Sequence, residues 1–137
     1  MAKYRVLSPK NKYYIPKEDY LTAIHYSLRY PMWMAEVEAT RDTSTAIRYD
    51  KDKVQTSPSD DMIFNAATRA IELSKKVDMI DSLISQCARD AVMEKFLRLG
   101  VCYGMTFIQL KQRDMPCERD SYYEMRQRYY YELSRLI

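Results

Sequence analysis

An all-α fold is predicted by three features of this 137-residue chain. Hydrophobic residues make up 47%, only two glycines and five prolines interrupt them, and apolar positions recur at three- and four-residue intervals over long stretches. So few turn formers cannot supply the many reversals of a sandwich or barrel. The length suits one hydrophobic core, so 1–137 reads as a single small helical domain. Within it, an irregular basic leader (1–16) precedes N-terminal helices and a linker (17–56), a long central helix (57–86) and a tri-helical unit of helix-turn-helix type (87–137).

Lys3, Arg5, Lys10, Lys12 and Lys17 all come before the first acid, Glu18, and residues 1–16 have no helical period. A solvated tail is favoured over an arm that touches nucleic acid. Helix is expected just after Pro16, because Leu21, Ile24 and Leu28 share one face, with Tyr20 and Tyr30 near it. Pro31 ends that helix or opens the next, since a first-turn proline forfeits no donor. A short helix from Met32 to Ala39 carries Trp33, Met34 and Val37, and from Thr40 to Ser57 the apolar pattern fails, which reads as a long connection.

Ser57-Pro58-Ser59-Asp60 opens the central helix with a hydroxyl, a first-turn proline and an acid, close to a capping box. Ile63, Ala67, Ala70, Ser74, Val77, Ile80 or Asp81, and Ile84 then form one narrow stripe, read as monomer core in preference to a homodimer seam. A further helix is expected from about Arg89, with Ala91, Val92, Phe96, Leu97 and Leu99 inside, before Gly100 and Gly104 provide a left-handed stop. Thr106 offers the side-chain oxygen that opens the next helix.

Thr106 to Arg113 makes a two-turn helix, Asp114-Met115-Pro116-Cys117-Glu118 breaks it, and Asp120 or Ser121 caps a last helix running to about Leu136. A short helix, a tight break and a long helix are what a helix-turn-helix needs to hold one helix in the major groove. On the last helix Tyr122, Met125, Tyr129, Leu133 and Leu136 are expected inside, leaving Tyr123, Arg126, Gln127 and Tyr130 outside. Arginine can pair with a guanine edge, glutamine with adenine, and tyrosine hydroxyls reach phosphates. Lys111, Arg113 and Arg119 are candidate backbone clamps, and Ser121 at the start of the reader completes the set. The plainer reading is an amphipathic helix whose Glu124 and Glu132 pair with Arg128 and its neighbours as surface salt bridges.

The run from Met115 to Leu133, preceded by Tyr103-Gly104-Met105-Thr106 and the Leu110 helix, resembles the C-terminal end of small phage and prophage regulators of the ArpU/RinA type. That group is similar to the fourth region of bacterial sigma factors, a helix-turn-helix. The resemblance covers roughly the last 50 residues, and the positions matching its corner and reader are Gly104, Thr106, Tyr123, Arg126, Arg128, Tyr130 and Leu133. It implies a DNA-binding transcriptional regulator contacting double-stranded DNA, with RNA polymerase or another protein as a further partner; separately, Cys87, Cys102 and Cys117, read as free thiols, favour the reducing cytoplasm. The chain departs from the pattern at Cys117-Glu118-Arg119-Asp120, where acids stand in place of small hydroxyl residues. The rival expectation is a phage or mobile-element adaptor that binds protein and not nucleic acid, using Trp33 and tyrosine surfaces.

No enzyme chemistry is legible. The one histidine, His25, has no glycine-framed serine or cysteine near it, and Cys87, Cys102 and Cys117 are too widely spaced for a zinc knuckle or a disulfide framework. Asp60-Asp61 and Asp78 with Asp81 read as solvated carboxylates, and no glycine loop cradles a phosphate. No metal and no cofactor are therefore expected. No apolar run approaches the roughly 20 residues of a bilayer span, so a soluble protein is expected. The thirteen tyrosines read as packing between helices in preference to stacking on single-stranded bases.

Overall fold

The computed structural model describes residues 7–49 and 60–137, with 42–49, 60 and 61 described by backbone alone. Lys3, Arg5, the Ser57-Pro58-Ser59 helix start and the Asp60-Asp61 side chains lie outside that description. Six helices occur among the described residues, α1 (Lys17–Leu28), α2 (Tyr30–Tyr49), α3 (Asp60–Cys87), α4 (Ala91–Val101), α5 (Phe107–Gln112) and α6 (Arg119–Leu136), and these residues contain no strand. The all-α expectation therefore holds. Two compact units are distinguished, a first within Met1–Tyr30 and Ile80–Ile137 and a second within Pro31–Met79.

Pro31 explains the break between the first two helices: its missing N–H and its ring cannot continue α1, which stops at Leu28, while its fixed φ suits the first turn of α2. Helix α2 then runs to Tyr49 and does not stop at Ala39, so the first half of the expected Thr40–Ser57 connection is helical. That stretch lacks an apolar period but also lacks Gly and Pro, so nothing in it terminates a helix already nucleated upstream. In the second unit, Trp33 on α2 and Leu73 and Val77 on α3 are buried. Lys76 lies over the Trp33 ring at 5.2 Å, and Arg69 forms an ion pair with Glu36. The first half of α3 is largely exposed, including Met62, Phe64 and Ile71, whereas Ile80, Leu83, Ile84 and Cys87 at its other end are buried.

In the first unit α6 packs on α1 and α4, and α4 packs on α1 and α5. Asp90 caps α4 by accepting from the Met93 N–H at 2.9 Å, and the buried face of that helix is Met93, Phe96, Leu97 and Val101. Val92 turns outward, as does Leu136 on α6, so neither belongs to the core as expected. Ser27 Oγ donates to the Ala23 carbonyl at 2.9 Å, and with its proton committed there it accepts from Tyr129 Oη at 2.8 Å, pinning α1 to α6. A second polar clamp gathers on Asp81, which accepts from Tyr30 Oη at 2.9 Å and from Arg98 Nε at 3.1 Å.

Candidate nucleic-acid interface

The corner before α5 is built by different means at its two glycines. Gly104 has φ +71°, the left-handed conformation that closes the chain after α4. Gly100 is helical, and its role is close approach: a Cβ there would fall far inside the van der Waals surface of Tyr122 Oη and 3.5 Å from Leu110 Cδ1. The expectation that both glycines serve a left-handed stop is thus corrected for Gly100. Thr106 caps α5 in a reciprocal capping box, its Oγ1 accepting from Gln109 N at 3.2 Å while Gln109 Oε1 accepts from Thr106 N at 2.9 Å.

Helix α5 ends in a Schellman motif. Met115 N donates to the Leu110 carbonyl at 3.2 Å, and Asp114 N to the Lys111 carbonyl at 3.0 Å. Asp114 takes the left-handed position with φ 64°, usually given to glycine, and the apolar contact that accompanies the motif falls to the buried Leu110 and Met115. Cations then hold the turn. Lys111 Nζ donates to the carbonyls of Met115 and Cys117, both at 3.1 Å, and Arg89 donates to that of Pro116 at 3.0 Å. Lys111, expected as a phosphate clamp, is therefore committed to the turn, while Arg113 is exposed.

Helix α6 starts after Glu118, two or three residues before the expected caps at Asp120 or Ser121, and Glu118 makes no side-chain capping bond. Exposure changes sharply along it. Arg119, Asp120, Ser121, Tyr123 and Glu124 are exposed, whereas Tyr129, Tyr130 and Leu133 are buried. Arg119 lies over the Phe107 ring at 5.3 Å, and the half-buried Arg126 sits between the rings of Tyr123 and Tyr130, at 5.4 and 5.6 Å.

Two of the expected contact residues face inward. Gln127 is only 8% exposed and donates to the Tyr13 carbonyl at 2.8 Å; Tyr130 is only 3% exposed and meets Tyr20 edge-on at 5.4 Å. The apolar stripe implied a narrow buried face, but α6 is covered both by α1 and by the segment ahead of it, so its buried arc is wide enough to take in positions 127 and 130. Arg119, Ser121, Tyr123 and Arg126 remain on the accessible side of α6, and Arg119, Tyr123 and Arg126 line an open groove of about 700 Å³. Its opposite wall is the N-terminal segment, with Lys12 and Tyr13, which spacing rules did not assign to the site. The basic leader and the Tyr13-Tyr14 pair were the available signals. Asp120 and Glu124 add acceptors to the same groove.

The three thiols are buried and unpaired, and burial pushes each up, Cys102 to about 12. They are neutral packing groups at neutral pH. His25 is exposed on α1, and among the described residues no three His, Cys, Asp or Glu side chains gather in a way that could hold a metal ion. No helix among the described residues is long and apolar enough to cross a membrane. No protein-family model, curated protein or solved structure matches the chain.

Proposed function

We propose that this chain binds duplex DNA through the first two turns of α6, as a transcriptional regulator of the phage and prophage kind that its C-terminal sequence resembles. The observation that carries the reading is the accessible face of the first two turns of α6, where Arg119, Ser121, Tyr123 and Glu124 are exposed while Tyr122, Tyr129, Tyr130 and Leu133 on the other face anchor the helix. A reader helix in the major groove contacts bases with its N-terminal residues and is anchored by the rest. Arg119 and Arg126 are the cations on this face, and Tyr123 and Ser121 bring hydroxyls that suit phosphate or base-edge contacts. Asp120 and Glu124 are acceptors of the type that takes a cytosine amino group, so the acids here shape specificity while lowering non-specific affinity. A cytoplasmic setting and contact with RNA polymerase belong to the same proposal.

A protein-binding adaptor is the second reading, and what favours it is the exposure of Met62, Phe64 and Ile71 on α3. Fluorescence anisotropy with a mixed-sequence duplex separates the two. On the DNA reading, affinity falls steeply with salt, and Arg119→Ala or Arg126→Ala weakens binding about tenfold with the fold retained, as expected when a cation no longer meets a phosphate or base edge. Absence of binding by the unaltered protein at low salt contradicts the DNA reading and leaves the adaptor.

A further inference from the structure

We infer that the N-terminal segment is the second wall of the DNA-binding cleft, and that Lys12 holds a backbone phosphate strand against Arg119 and Arg126. The inference rests on the DNA reading and extends it to residues outside the helix-turn-helix.

Residues 8–14 are shaped by local bonds into two successive turns. Asn11 N donates to the Ser8 carbonyl at 2.9 Å and Tyr14 N to the Asn11 carbonyl at 3.0 Å, while the Asn11 side chain accepts from Tyr13 N at 2.9 Å. The segment is then fixed on α6 by three attachments. Ile15 is buried, the Tyr13 carbonyl accepts from Gln127, and the Tyr13 ring meets Tyr131 edge-on at 5.6 Å. Gln127 is therefore a positioning residue. It does not read bases, and it sets where the arm lies.

Upstream of these attachments Lys10 and Lys12 are exposed or nearly so, and among the described residues neither forms an ion pair with a carboxylate. The Lys12 ammonium lies over the Tyr13 ring at 4.8 Å, both residues line the groove, and Arg119 and Arg126 line its other side. Three cations, Lys12, Arg119 and Arg126, outnumber the two acids, Asp120 and Glu124, in an open groove that also carries aromatic rings, and cations on both walls suit a polyanionic strand that runs through and does not end there. A phosphodiester backbone has that form.

The test is the salt dependence of duplex binding by the full chain. Lys12→Ala alters only a solvent-facing side chain, so circular dichroism should be unchanged. The slope of log affinity against log salt should become shallower by about 1, for the one phosphate that is no longer neutralised. Gln127→Ala, which leaves Lys12 in place but frees Tyr13, should give a similar reduction of slope. If Lys12→Ala keeps the full slope while Arg119→Ala reduces it, the arm is not part of the cleft and the inference fails alone. If the unaltered protein shows no salt-dependent binding, the inference and the DNA reading fail together.

Discussion

Gly100→Ala should lower the stability of the protein by about 2 kcal/mol, a drop of roughly 6–10 °C in melting temperature for a chain of this size. A methyl at this helical position is forced onto the end of the Tyr122 ring. Tyr122 is only 1% exposed and its ring sits beside Phe107 and Tyr123, so it has no open volume to move into. Overpacking costs about 1–3 kcal/mol, a clash this deep lies at the upper end of that range, and the better helix propensity of alanine returns about 1 kcal/mol. A second variant isolates the cause. In a Tyr122→Phe background the offending oxygen is absent, so the same Gly100→Ala change should cost less than about 1 kcal/mol, and the two substitutions should couple strongly in a thermal double-mutant cycle. A higher melting temperature for Gly100→Ala alone would show that α4 and α6 are not in this close approach. The result bears on function because this approach helps set where α6 leaves the core.

Raising the pH should unfold the protein cooperatively between about pH 9 and 12. Burial pushes Tyr122 up to about 12 from 10 and Cys102 up to about 12 from 9, and it also raises Tyr129 and Tyr130. Each of these groups keeps its proton in the folded state after the unfolded chain has lost it, so the unfolded state binds fewer protons and stability falls as pH rises. The contribution is complete below the unfolded pKa values and is lost progressively up to the folded ones. By pH 12 Tyr122 forfeits on the order of 2–3 kcal/mol and Cys102 on the order of 3–4 kcal/mol, together comparable with the whole stability of a small domain. Absorbance near 295 nm should therefore show the exposed tyrosines ionising first and the buried ones only together with loss of helix by circular dichroism. Smooth titration of all thirteen phenols with helix retained would contradict the packing described for α6.

The helices were legible in the sequence wherever punctuation was strong. Pro16 and Pro31 delimit α1, and Thr106 with Gln109 announces α5, because capping and proline geometry are local properties of the chain. Helix α2 beyond Ala39 was not legible, since continuation of a helix through polar residues depends on the turn already formed and leaves no apolar period. The turn into α6 was recognised as a break, but its Schellman geometry was hidden by an aspartate in glycine's place. Of the candidate contacts that the helical period set outside, Tyr123 is exposed and Arg126 half-buried, and the candidates Arg113, Arg119 and Ser121 are exposed as well. Gln127, Tyr130 and Lys111 were misplaced for one reason. Their partners are the Tyr13 carbonyl, the Tyr20 ring and the carbonyls of Met115 and Cys117, and no period of a single helix reveals what will cover it from another segment.

The most direct measurement is amide hydrogen exchange on the full-length chain, alone and with a saturating mixed-sequence duplex. New protection should be confined to 8–14 and the beginning of α6, leaving the Met62–Ile71 stretch of α3 unchanged. Protection that appears on α3 instead, or no difference between free and mixed samples, would contradict the assignment of α6 and its arm as the nucleic-acid face.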